Sequence, residues 1–96
     1  MSKLQIVATI VIKEEYKEEF KTIFRTIVDE TRNEPGCNSY KLFQDVKNPL
    51  KYYFLEDWKD QEAIDKHNAS AHFQAFVRAI EGKMDELTVD VMKEVL

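Results

Sequence analysis

The stretch Lys51-Tyr-Tyr-Phe-Leu-Glu-Asp-Trp-Lys-Asp-Gln-Glu-Ala-Ile-Asp-Lys-His-Asn-Ala-Ser-Ala-His-Phe73 decides how the chain folds. It opens with an apolar run, Tyr52 to Leu55, and then sets Glu56 and Trp58 two residues apart, on one face of a strand. The run stops at Asp60. Asp60 and Ser70 both suit a helix N-cap, so a short helix and then a longer one should follow the strand. His67 and His72, the two histidines of the chain, flank the second cap. Nearly every polar group able to do chemistry near neutral pH is thus gathered at one strand-to-helix corner.

Working outward, Leu4 to Ile12 is rich in β-branched residues and apolar on both parities, Ile6, Ala8, Ile10 and Ile12 against Val7 and Val11, as in a strand buried on both faces. From Glu15 to Asn33 the apolar residues Tyr16, Phe20, Ile23, Phe24, Ile27 and Val28 fall in steps of three and four, an amphipathic helix. Glu34-Pro35-Gly36 ends it, Pro disfavouring helix before it and Gly supplying a positive φ. Asn38 to Asp45 alternates, with Tyr40 and Leu42 on one face, and Val46 to Pro49 reads as a hairpin turn into the strand that begins the quoted stretch. After Ser70, Phe73, Phe76, Val77, Ile80 and Met84 return at helical steps with Gly82 near the C-terminal end. Leu87 to Leu96 alternates as a last, half-exposed strand.

The order is β-α-β-β-α-β, an α+β ferredoxin-like arrangement in one domain spanning residues 1–96, with expected strand order 4-1-3-2. That order puts the first and third strands in the centre, and these are the two that are apolar on both parities. Right-handed crossovers place both helices on one face, leaving the other bare, with Val7 and Val11 and, if parity is kept, Tyr53 and Leu55. Each such side chain left in water forfeits roughly 1.5–3 kcal/mol, so a homodimer closed sheet against sheet is expected.

A net charge of −4 and the lack of a basic cluster argue against nucleic acid and anionic membrane surfaces. No window approaches the roughly 18 apolar residues of a membrane span, and Met-Ser-Lys leads straight into a strand rather than a signal peptide. The single cysteine, Cys37, fits a reducing compartment, so the cytoplasm is expected.

From Leu4 to about Val91 the chain resembles the antibiotic biosynthesis monooxygenase domain of the small quinol monooxygenase type. The resemblance is carried by Glu34-Pro35-Gly36-Cys37, Tyr40, Asn48-Pro49, Glu56-Asp57-Trp58, Ala63, His67, His72 and Phe73. It implies a dimeric α+β barrel with a pocket between sheet and helices in each subunit. Relatives include oxygenases acting on hydroquinone-like aromatics without metal or flavin, haem-degrading enzymes, and proteins handling a phosphorylated signalling sugar. The haem-degrading pattern wants an Asn, a Trp and an axial His where this chain carries Ala8, His67 and Val77, so the resemblance to that branch fails at all three.

A cofactor-free oxygenase needs a base that forms the phenolate and a dry pocket, and histidine is the natural base. His67, three residues after Ile64 on the inward face of the short helix, and His72, in the first turn of the next, are the candidate catalytic residues. Either could instead serve a helix end or the surface. Tyr40, Trp58 and Phe73 are candidate substrate-binding residues, able to stack on an aromatic ring or simply to pack the core. Glu56 is placed with them: a carboxylate in an apolar strand needs a partner, either a histidine it orients or one of Arg25, Arg32 and Arg78.

A metal site from Glu56, His67 and His72 is disfavoured, because the two histidines stand either side of a helix break rather than at i, i+4. Cys37, without a basic neighbour in sequence, reads as a small buried hydrophobe. The function expected first is oxidation of a quinol or polyphenol by dioxygen with no cofactor and no metal. A non-catalytic binder of small aromatic molecules and an isomerase of a phosphorylated sugar stand behind it, the last needing a cationic pocket from Lys41 and the arginines.

Overall fold

The computed structural model describes residues 3–96. The chain runs β1 (Leu4–Ile12), a single 3-10 turn (Glu14–Tyr16), α1 (Lys17–Arg32), β2 (Cys37–Gln44), β3 (Lys51–Trp58), α2 (Gln61–Ala69), α3 (Ala71–Ile80) and β4 (Met84–Met92). The strands form one antiparallel sheet in the order β2-β3-β1-β4, the ferredoxin-like order expected. Among the described residues no helix is long and apolar enough to cross a membrane.

Register explains which side chains go inward. β1 pairs with β3 from Leu4 opposite Trp58 to Val11 opposite Lys51, so Ile6, Ala8, Ile10 and Ile12 share a face with Phe54, Glu56 and Trp58. Onto this face α1 presses Phe20, Phe24, Ile27 and Val28, its apolar stripe. The β2–β3 hairpin is held by Asp45, whose Oδ2 accepts from the backbone N–H of Lys47 and Asn48 at 3.0 and 2.9 Å.

Three expectations are corrected. Met84 belongs to β4, paired with Ile12, and not to the last helix, which stops at Ile80; Gly82 at φ 77° then turns the chain. β4 spans Met84–Met92 rather than running to Leu96, because its ladder with β1 ends where Gln5 meets Met92. Gly36 has no positive φ; it is glycine for room, since a Cβ there would lie 2.4 Å from the Cβ of Ala63.

The other face of the sheet carries no helix. There Phe43 and Leu55 are 47% and 41% exposed, with Val7, Val11 and Tyr53 half-buried beside them. A second apolar strip lies on the helix side: Leu87, Val89 and Val91 stand opposite Ile10, Ala8 and Ile6 in the β1–β4 ladder, yet remain exposed because the helices stop short of the β4 edge.

Candidate functional site

The inward parity of β3 supplies the floor. Glu56 does not pair with an arginine: its Oε1 accepts from the indole Nε1–H of Trp58 at 2.8 Å, the neighbour two residues along the same face. Arg32 donates instead to the backbone carbonyl of Tyr40 at 3.0 Å, and Arg25 and Arg78 are exposed. Burial, opposed by the Trp58 hydrogen bond, pushes the Glu56 carboxyl from 4.5 up to about 7. Near neutral pH it therefore holds its proton about half the time.

A stability test follows from this carboxyl. A pKa raised on folding means that the folded state binds the proton more tightly, so its contribution is complete below pH 4.5 and is lost as pH rises through about 7. The full shift corresponds to roughly 3 kcal/mol at most. Urea unfolding of Glu56→Gln at several pH values should therefore give a flatter profile between pH 4.5 and 7 than wild type. Parallel profiles would show that Glu56 ionises as freely in the fold as outside it.

The corner after β3 is built by two caps. Asp60 Oδ1 accepts from the Ala63 N–H at 2.9 Å and starts α2; Ser70 Oγ accepts from the Phe73 N–H at 3.2 Å and starts α3. Ser70 also donates to the His67 carbonyl at 2.6 Å, and its extended backbone, ψ 154°, breaks the helix between the two histidines. His67 ends one helix, His72 begins the next, and the bend brings their ring centroids to 5.9 Å.

Both rings converge on Glu34, which the sequence marked as part of the helix stop and of the Glu34-Pro35-Gly36-Cys37 motif but not as a site residue. Its Oε2 lies 2.6 Å from Nδ1 of His67 and 2.6 Å from Nε2 of His72. With the carboxylate oxygen as acceptor each imidazole donates, and His67 is assigned the Nδ1–H tautomer with a lone pair on Nε2. The Glu34 loop is held against α2: the Lys59 N–H donates to the Gly36 carbonyl at 2.9 Å, and Gly36 lies flush on Ala63.

Gly36→Ala should cost about 1–3 kcal/mol through overpacking. It should also displace Glu34 from the histidines. Gly36→Ala/Ala63→Gly, which restores the room, should recover most of that loss in urea melts; no recovery would mean that the contact does not dock the loop.

His67 is enclosed by aromatic rings, with Trp58 at 4.7 Å and Phe73 at 4.9 Å between centroids. Burial lowers its pKa from the ordinary 6.5, outweighing the opposing pull of Glu34, so the ring is neutral at pH 7. It borders a cavity of about 100 Å³ shared with Tyr40, Phe54, Glu56, Phe73 and Phe76 and opening past Val77, Leu87 and Val89. Burial raises the Tyr40 phenol well above its ordinary value, so it keeps its proton and can donate. Ala8 lies in the same wall, and no lysine or arginine lines the cavity.

Of the six candidate residues, then, the fold brings His67, Tyr40, Glu56 and Phe73 to one cavity. Trp58 is fully buried behind them, against His67 and Glu56. His72 does not line the cavity; it stands behind His67, sharing Glu34 with it at a ring-centroid distance of 5.9 Å. Cys37 is half-buried beside the Glu34 loop, its thiol pushed up to about 11 by burial and then by the Glu34 charge, which leaves it inert at neutral pH.

Comparison with known proteins matches residues 4–79 to the family model described as antibiotic biosynthesis monooxygenase. The Bacillus subtilis (strain 168) protein named "Putative monooxygenase YcnE" is 41% identical over 70 residues, 73% of this chain and 74% of that protein. A crystal structure titled as an antibiotic biosynthesis monooxygenase superposes with a TM-score of 0.92 at 36% identity, covering 97% of this chain and 99% of the other. A conserved protein from Methanosarcina mazei Go1 gives a TM-score of 0.92 at 29% identity, over 99% and 95% of the two chains.

Proposed function

The chain belongs to the antibiotic biosynthesis monooxygenase family, and on that premise we propose that it oxidises a quinol- or polyphenol-type aromatic with dioxygen and no bound cofactor, using His67 as the base. The single observation behind this reading is the His67 ring, neutral, held through Nδ1–H by Glu34 and bordering an apolar cavity. His72 becomes a positioning residue, since it does not line the cavity and acts on His67 through the shared carboxylate and its own ring.

In this mechanism Nε2 of His67 takes the proton of a substrate hydroxyl. The resulting anion gives one electron to dioxygen, the radical pair joins as a peroxide at a ring carbon that bears hydrogen, the peroxide takes the proton back from His67, and loss of the outer oxygen with that carbon's hydrogen as water leaves a new carbonyl. Atoms balance: one dioxygen enters, one oxygen stays on the ring and the other leaves as water. Glu56, protonated part of the time near pH 7 and bordering the cavity, is the donor assigned to developing negative charge on the substrate oxygens, with Tyr40 as part of the wall. An imidazole kept neutral and a carboxyl kept partly protonated in one cavity are the environments that separate base from acid.

The cavity of about 100 Å³ is smaller than the roughly 150 Å³ that encloses benzene. The reacting ring enters, and the rest of the substrate lies across the apolar mouth at Val77, Leu87 and Val89. We also propose that two copies associate through the bare sheet face, whose exposed Phe43 and Leu55 supply the reason.

The apolar lining supports a second reading, a non-catalytic binder of small aromatic molecules. Ligand-dependent thermal stabilisation without oxygen consumption would favour it over turnover. An isomerase of a phosphorylated sugar is not carried forward, because the cations it would need lie away from the cavity: Lys41, Arg25, Arg32 and Arg78 are all exposed elsewhere. Oxygen uptake over a panel of dihydroxynaphthalenes tests the oxygenation reading, and no uptake with any of them would count against it.

A further inference from the structure

We propose that Glu34, His67 and His72 form a binding site for one divalent transition-metal ion, zinc foremost. The three ligand atoms, Oε2 of Glu34, Nδ1 of His67 and Nε2 of His72, lie within 4.8 Å of one another. Two imidazoles and a carboxylate are a donor set that zinc and its first-row neighbours take, whereas magnesium and calcium want oxygen alone. The His-x4-His spacing, unsuited to one continuous helix, works here because the break at Ser70 folds the two rings onto one side.

A tetrahedral zinc with bonds of about 2.0–2.1 Å sets its ligand atoms roughly 3.3 Å apart. Glu34 Oε2, now 2.6 Å from each nitrogen, has to withdraw, and the two nitrogens, within 4.8 Å of each other, have to close toward the ion; Glu34 sits on a loop and the two histidines stand either side of the helix break, where such shifts are easiest. Three protein ligands leave the fourth position to solvent. Solvent lies near the cluster: Glu34 also borders a surface pocket of about 140 Å³ with Asp60 and Glu62, and the His72 side chain is 20% exposed.

The site stands on geometry alone, apart from the oxygenation reading. One consequence rests on both. With the ion on Nδ1, the ring proton of His67 moves to Nε2, and the base is gone. Metal-bound and base-competent states exclude each other, so zinc should suppress turnover.

Calorimetric titration of ZnCl₂ into the metal-free full chain should give one ion per chain. Glu34→Gln and His72→Gln should each weaken binding by more than the roughly 10–100-fold that loss of an outer-shell partner costs. CoCl₂ should give the wild-type protein the visible absorption of a low-coordinate nitrogen and oxygen site, a readout independent of how the variants fold. No heat with zinc and no cobalt band, or wild-type affinity in both variants, would overturn the proposal. Turnover by metal-free protein that binds no zinc sinks this inference alone; zinc binding without turnover sinks the oxygenation reading alone.

Discussion

Oxygen uptake by the His67→Ala protein with a dihydroxynaphthalene substrate is expected to fall about 10²–10⁴-fold below wild type, the contribution a positioned general base makes. The expectation rests on position: His67 is the one histidine lining the cavity, and its Nδ1 is already committed to Glu34. His72→Ala should cost less, because that ring touches Glu34 and not the cavity. Glu34→Gln separates positioning from mere structure. The carboxylate raises the His67 pKa against the larger lowering by burial, so removing its charge drives that pKa down further.

The pH profile carries the sign. Wild-type kcat/KM should fall as pH drops through the depressed His67 pKa, below the ordinary 6.5, because the protonated ring is no base. In Glu34→Gln the acid limb should move to lower pH while the plateau drops, since the amide no longer favours the Nδ1–H tautomer. Wild-type uptake in His67→Ala, or an acid limb that Glu34→Gln leaves in place, would remove these roles.

The second large effect concerns assembly. Leu55 is 41% exposed on the bare sheet face, beside Val7 in the β1–β3 ladder. In a two-fold dimer closed through this face, Leu55→Asp introduces the charge twice. The effective penalty of taking an unpaired ion out of water is several kcal/mol. Dissociation should therefore strengthen on the order of 10³-fold or more, and sedimentation should move from dimer to monomer while circular dichroism stays unchanged. A wild-type protein that sediments as an 11.3 kDa monomer at micromolar concentration would rule the dimer out before the variant is made.

Much of the fold was legible because two local signals agreed. Leu4–Ile12 and the run from Tyr52 are apolar on both parities, and they are the central strands β1 and β3. Asp60 and Ser70 cap the helices they were expected to cap. The misses share one cause: they depend on a neighbour far along the chain. Gly36 is set by Ala63, and Met84 follows the β1 ladder through Ile12, although it also continues the 3.6-residue period of α3.

Glu34 was the main omission in the site. It lies 33 residues before His67 and 38 before His72, and Glu-Pro-Gly, though part of the motif carrying the resemblance, reads physically as a helix stop. A charged residue where the chain needs only a turn is the signal that could have marked it. Glu56 offered a better clue, since Trp58, its hydrogen-bond donor, stands two residues away on the same strand face. A histidine or an arginine far along the chain was expected as its partner, where a near neighbour sufficed.

In the proposed mechanism Glu34 holds His67 as a neutral imidazole protonated on Nδ1, with Nε2 free for the substrate. Ring ¹⁵N chemical shifts of His67 in the metal-free protein at pH 7 measure this directly. A protonated Nδ1 and an unprotonated Nε2 are expected. An imidazolium, or a ring carrying its proton on Nε2, would contradict it.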